Sequence, residues 1–315
     1  MKKSLFFLTC LILVLALAGC AGGPSHIPFY TPPNTPWQNG ETLVYSVERY
    51  RVVTAGGVET VTVLGTGTQR VTVTEQGGNF VITTDWRLTC EESGVEDTIL
   101  TEAVVIGATF APVSSRREAR IRHKSGGEGY TAGDINTARS HIITADYTAL
   151  TTYYTPYGGT PERRNIPTGS AFDNESLFYV VRALRGLGGA QPVTFSLRNM
   201  FDFHRNNISA HSISVSGGAT PVQRRVELDN LQHFVNADGA PANNGDMIYT
   251  RAVRIALAGS NPGPPITAWF TEHEYTDGTN TARRLLVEYM TYTVDFPNLN
   301  SQTRIRYKLQ EISWA

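Results

Sequence analysis

The sequence predicts a mainly β protein: a long antiparallel meander forming one or more curved sheets or a half-barrel, with one packed mid-chain helix at about 173–185. Three observations carry this reading. From Glu41 onward residues alternate at period two, with Leu43, Tyr45 and Val47 on one face and Val44, Ser46 and Glu48 on the other. Glycine pairs at 56–57 and 77–78 fall between such runs, where two-residue hairpins need positive φ. Near mid-chain, one segment switches to helical spacing.

Val58 to Val63 repeats the alternation, as do Arg70 to Thr74 and Phe80 to Leu88. Further strands are expected at 96–106, 115–123 and 139–154, then at 192–198, 208–216, 221–228, 248–257, 266–275, 284–295 and 302–312. Polar stretches rich in Gly, Asn or Pro at 124–138, 156–169, 236–247 and 259–264 read as loops. The helix begins where Ser170 to Glu175 supplies cap candidates and first-turn acids. Leu177, Val180, Val181 and Leu184 then form an apolar stripe, and Gly186, Gly188 and Gly189 end a helix of about twelve residues. The β-rich domain is read as 41–312, with two β halves at 41–169 and 190–312 joined by the helix.

The first forty residues read differently. Lys2 and Lys3 precede an apolar run from Leu5 to Leu17, which is too short to span a bilayer, and Leu17-Ala18-Gly19-Cys20 follows as a lipobox. Residues 1–19 are therefore expected to be a lipoprotein signal peptide, cut between Gly19 and Cys20. The resemblance to bacterial lipoproteins implies palmitate-type acyl chains on Cys20, and two such chains anchor stably. In a two-membrane cell the absence of Asp after the cysteine points to the periplasmic face of the outer membrane. In a one-membrane cell the anchor lies on the outer face of the cell membrane. Prolines 24, 28, 32, 33 and 36 make 20–40 a tether, although Phe29, Tyr30 and Trp37 favour contact with the domain. Loss of the two leader lysines takes the formal charge from −1 to −3, which gives no basis for nucleic-acid binding. Cys90 remains as a lone thiol on a strand, read as a small buried apolar residue.

Chemistry is sparse. The histidines at 26, 123, 141, 204, 211, 233 and 273 include no pair at helical i, i+4 spacing, so no metal site is expected. No Gly-x-Ser-x-Gly elbow occurs. The sole acid/base candidates are Asp202 with His204, and Glu272 with Glu274 around His273. Tyr147, Tyr153, Tyr154, Tyr157, Tyr289 and Tyr292 read as core or cross-strand pairs. The arginine pairs at 116–117, 163–164, 224–225 and 283–284 read as solvated strand faces or edge protection.

Three landmarks resemble a family. Trp37-Gln38-Asn39-Gly40-Glu41-Thr42-Leu43-Val44-Tyr45 opens the first strand. Asp173-Asn174-Glu175-Ser176-Leu177-Phe178-Tyr179-Val180-Val181-Arg182 forms the helix, and Asn261 to Thr271 leads into a Trp-bearing strand. These are similar to the exported β proteins of domain of unknown function 3108. That resemblance implies a curved antiparallel sheet akin to the half-barrels of the lipoprotein carriers LolA and LolB, and brings no catalytic residues or cofactors. A sheet curled round the helix is expected to leave a concave apolar face for an acyl chain or other hydrophobic ligand. The leading expectation is therefore a non-enzymatic, membrane-anchored envelope protein that binds a hydrophobic or lipidic ligand or client. The alternative is a scaffold for envelope proteins or cell-wall polymers, with a filled interior and an exposed patch. A hydrolase using Asp202, His204, Glu272 and Glu274 requires those side chains to converge.

Overall fold

The structure, a computed structural model, describes residues 29–91, 94–122, 135, 137, 139–169, 171–185, 187, 192–202, 207–218, 222–225, 247–258, 265–272, 274–276, 279–294 and 301–315. The first half gives β1 (Glu41–Ala55), β2 (Val58–Gln76), β3 (Asn79–Cys90), β4 (Glu96–Ile106), β5 (Pro112–Arg120), β6 (His141–Asp146), β7 (Thr151–Pro156) and β8 (Glu162–Asn165). A short strand, β9 (Phe172–Asp173), runs through a 3₁₀ turn (Asn174–Ser176) into α1 (Leu177–Ala183). There follow β10 (Val193–Asp202), β11 (Asn207–Gly217), β12 (Val222–Arg225), β13 (Met247–Ala258) and β14 (Ile266–Thr271). The chain ends with β15 (Tyr275–Thr276), β16 (Thr281–Ala282), β17 (Leu286–Val294) and β18 (Ser301–Trp314).

Sixteen strands make one open sheet in the order β8-β7-β6-β5-β4-β3-β2-β1-β18-β17-β14-β13-β11-β10-β9, with β12 paired to β13. All its pairings are antiparallel except β9 with β10. Each half is a meander, and pairing of β1 with β18 from Glu41↔Trp314 to Val53↔Ser301 runs the two halves into a single sheet. The mainly β class, the antiparallel order and the single helix are as the sequence predicts.

Local chemistry explains the elements. Gly56, Gly57, Gly77 and Gly78 all have positive φ and close the β1–β2 and β2–β3 hairpins. The expected strands at 58–63 and 70–74 are two parts of β2. Where they join, Leu64 is an extra residue opposite the Arg49/Tyr50 step of β1, and such a bulge bends and twists its strand. The stretch expected at 139–154 divides into β6 and β7 because Asp146 Oδ1 accepts from the amides of Thr148 and Ala149, turning the chain at both 2.9 Å. Cys90 is buried, as expected.

The helix begins at the expected place. Asp173 Oδ1 accepts from the Glu175 amide at 2.7 Å, which caps the 3₁₀ turn. It ends early, at Ala183, because Leu184 turns extended and bridges Phe29. The Tyr30 amide donates to Ala183 O at 2.8 Å. Residues 29–37 thus form a strap across the end of the helix, with Phe29 packed edge-on against Phe110 and Phe172, and Trp37 buried against Phe80, Phe110 and Tyr179.

The curled sheet wraps the helix from both halves. Leu177, Val180, Val181, Ala183 and Leu184 share one core with Leu43, Val73, Ile82 and Val105 on one side and Ile213, Val253, Phe270 and Leu309 on the other. The concave apolar face expected to be open to a ligand is filled by this helix, since every residue from Tyr179 to Leu184 is buried. A remaining void of about 50 Å³ beside Tyr45, Gln69 and Phe178 is far below ligand size.

The β9 edge of the sheet and the turn that follows it pack through side chains against β5 and the turn after β6, inside the β8 edge. Ser115 Oγ of β5 donates to Asp173 Oδ2 at 2.8 Å, and the Tyr147 hydroxyl donates to the same oxygen. Arg117 pairs with Glu175 at 2.9 Å, and Arg198 donates to Thr168 O at 3.2 Å. Burial, then the charge of Glu175, push the Asp173 carboxyl up to about 6, although its three donors hold it back. The folded value exceeds the unfolded one of about 3.9, so this group's stabilisation is complete below about pH 4 and is lost as pH rises through about 6. His141 works in the opposite sense. Burial and the Arg117 charge lower it to about 4, so its contribution is complete above its ordinary value and is lost as pH falls through about 4. The two offset each other in the native protein, and a variant separates them. Asp173→Asn is expected to gain roughly 2–3 kcal/mol relative to the parent between about pH 4 and pH 7.5. Urea unfolding of both proteins across that range checks it; a constant difference contradicts the assignment.

Candidate functional site

Buried charge organises the interior end of the site. Arg182 is 2 % exposed and Glu41 is 0 % exposed, and they form a bidentate ion pair through Nη1 and Nη2. Arg182 Nη2 also donates to Pro36 O at 2.9 Å, and its Nε donates to Arg283 O at 3.0 Å. Burial alone would lower the pKa of this guanidinium, but the Glu41 charge and hydrogen bonds more than offset that and raise it. One side chain therefore ties the helix to the strap, to the start of β1 and to the loop before β17.

Beyond this bolt lies a cleft of about 630 Å³, where the strap crosses the carboxyl end of α1. That volume is within the range of roughly 300–1,000 Å³ usual for small-molecule sites. Leu187, Val253 and Phe270 supply apolar lining, while Arg185, Arg251, Arg283 and Arg284 supply charge. Arg251 is held by Glu272 through Nε and Nη2 at 2.7 and 2.5 Å, and Arg283 Nε lies 2.9 Å from Glu274. Arg185 and Arg284 lie on the Tyr30 ring, at 5.3 and 5.6 Å from its centroid. Arg284 also caps the helix by donating to Leu184 O. Its backbone has φ 51°, an uncommon conformation for a side chain of this size. Burial, opposed by Tyr30 and reinforced by the Arg182 charge, brings its guanidinium down to about 10, so it is charged at neutral pH.

The site residues expected from sequence fall in several places. Glu272 and Glu274 line the cleft, each paired with an arginine, and do not form a bare carboxylate pair. The side chain of Asp202, and His204 and His273, lie outside the described residues, as do Gly19 and Cys20. Among the described residues no cluster of His, Cys, Asp or Glu could hold a metal ion, and no helix is long and apolar enough to cross a membrane. The reading of arginine pairs as solvated strand faces is corrected at 283–284. These residues sit on the loop before β17, and Arg284 is half-buried in the cleft wall. Arg185 and Arg251 were not singled out by sequence reasoning, since isolated arginines carry no local mark of a shared cleft.

The fold and cleft define a mainly β protein with one open, curved antiparallel sheet whose concave face is filled by its own helix and with a ligand-sized cleft at the helix's carboxyl end. No family model matches the chain, and no curated protein matches it. It is similar in fold to a solved structure from Brucella abortus, described as a beta-barrel-like protein of domain of unknown function DUF1849. The TM-score is 0.46 and the identity 8 %, over 87 % of this chain and 98 % of the other.

Proposed function

We propose that this protein is a non-catalytic envelope lipoprotein, lipidated at Cys20, that binds an amphiphilic ligand or client in the cleft between strap and helix. The observation that carries the reading is the cleft of about 630 Å³ at the helix end, because the concave face first expected to hold a ligand is filled by α1. With α1 occupying the concave face, the cleft offers ligand-sized space with both apolar and charged walls. Eight residues lie between Cys20 and Phe29, a reach of at most roughly 30 Å, so an anchor at Cys20 keeps the strap and its cleft near the membrane surface. The resemblance to domain of unknown function 3108 belongs to the same reading. Its motif residues Glu41, Asp173, Ser176, Tyr179 and Arg182 are buried together around the helix.

Native mass spectrometry after gentle extraction is expected to retain a bound lipid-like molecule, and the purified body to take up a hydrophobic dye. Repeated absence of both contradicts the reading. A second reading, a scaffold for envelope proteins or cell-wall polymers, is favoured by the filled interior of the sheet and by the exposed Val58, Val61 and Val63 on the β1–β2 hairpin arm. Cross-linking in cells that recovers no reproducible partner counts against it.

A further inference from the structure

The charge in the cleft is unevenly used. Glu272 and Glu274 occupy Arg251 and Arg283, so the lining arginines exceed the lining carboxylates by two. The excess sits on Arg185 and Arg284, which both pack on the Tyr30 ring and form no ion pair with a described carboxylate, although the Glu272 charge reaches Arg284. Arg185 is exposed and makes no hydrogen bond to a described residue, while Arg284 commits one donor to Leu184 O. Tyr30 thus draws two planar cations to one wall of the cleft, where Arg284 also feels the positive charge of Arg182. Holding two like charges at one ring is unfavourable unless something negative offsets them. The strained backbone at Arg284 adds to that cost, and such strain persists at sites where it serves a purpose. Phe270 and Val253 are buried behind the cleft, and Leu187 with the half-buried Tyr30 ring gives a ligand's apolar part a surface beside the cations.

We infer that the cleft is an anion site built for an amphiphile: Arg185 and Arg284 grip a phosphate or carboxylate group while the apolar part lies against Leu187 and the Tyr30 ring. Guanidinium forks match both anions bidentately, which an ammonium does not. This rests on the ligand-binding reading above and adds the chemical class of the ligand. The same anion could come from a lipid headgroup or from free phosphate, and the two are separable by experiment.

The test uses the full soluble body in calorimetry with dodecyl phosphate, with dodecyl maltoside as the neutral probe and inorganic phosphate as competitor. Dodecyl phosphate is expected to bind at least tenfold tighter than the maltoside, with the advantage shrinking as salt rises. Arg185→Gln is expected to weaken dodecyl phosphate binding about tenfold and leave maltoside binding unchanged. Because Arg185 is exposed and carries no structural hydrogen bond, that variant keeps the fold even where Arg284→Gln loosens the helix end. Inorganic phosphate competing as well as dodecyl phosphate supports the anion site and assigns it to a free anion. Competition only at about hundredfold higher concentration supports it and assigns a lipid headgroup. Equal binding of both amphiphiles, with no effect of Arg185→Gln, overturns the anion site while the ligand-binding reading stands. Binding of neither amphiphile, nor of phosphate, overturns both.

Discussion

Replacing Arg182 with methionine is expected to cost about 3–5 kcal/mol of unfolding free energy, the largest effect of any single substitution considered for this protein. The reason lies in what is left behind. Glu41 is fully buried, and without its partner its carboxylate stands uncompensated in a low-dielectric interior. The carbonyls of Pro36 and Arg283 lose their donor in the same step. Lysine does not rescue the position, because it cannot reproduce the bidentate fork together with the other two contacts. Glu41→Gln alone is expected to be costly for the mirror-image reason, leaving a buried guanidinium without its charge partner. The double variant is expected to lose less than the sum of the single losses, by on the order of 1–3 kcal/mol, because each change removes the other's unpaired charge. Urea unfolding of all four proteins measures this. An Arg182→Met protein within about 1 kcal/mol of the parent removes the bolt from the account.

Gly67→Ala is expected to be nearly as damaging, although it adds a single methyl group. A Cβ at Gly67 would sit 1.9 Å from Arg87 O and 2.8 Å from the Leu88 Cα, both backbone atoms of β3. No rotamer relieves such a clash, so β2 and β3 must separate. Gly65 stands in the same stretch, where its Cβ would lie 2.6 Å from Thr89 O. These glycines directly follow the bulged residue Leu64, where β2 bends and its backbone approaches β3 closely. A loss of about 3 kcal/mol or more is expected, with a Tm lower by roughly 5–10 °C. Gly218→Ala is the control. Its Cβ would meet Ala252 O at 3.4 Å and Ala252 Cβ at 3.8 Å, ordinary contact distances, and little change in Tm is expected. Equal Tm values for the two variants would contradict a close approach of β2 to β3 at this point.

Much of the architecture is legible in the sequence because it is local. The alternation of Leu43, Tyr45 and Val47 places them inside, and the glycine pairs at 56–57 and 77–78 turn the hairpins with the expected sign of φ. Asp173 caps the turn into the helix as its residue type predicts. What escapes the sequence is long-range. The early end of the helix depends on Phe29 pairing with Leu184, and no pattern near Leu184 records that partner. Glu41 and Arg182 each stand in a recognisable motif, yet 141 positions separate them and nothing in either motif names the other. Asp173 has two tasks, capping locally and joining β9 to β5 and the β6–β7 turn through Ser115 and Tyr147, and only the first leaves a local trace. The cleft is the clearest case. Its arginines come from the helix end, β13 and the loop before β17, and an arginine pair in sequence looks the same whether it faces solvent or lines a wall.

The central claim is that ligand binding occurs in the cleft at the helix end and not inside the sheet. Photo-cross-linking with a diazirine-bearing alkyl phosphate, followed by peptide mass spectrometry, tests this directly. Adducts on the peptides carrying Tyr30, Leu187 and Phe270 are the predicted result, reduced by excess dodecyl phosphate. Adducts concentrated on Leu43, Ile82 and Phe178, around the interior void, would contradict it and return the binding site to the concave face of the sheet.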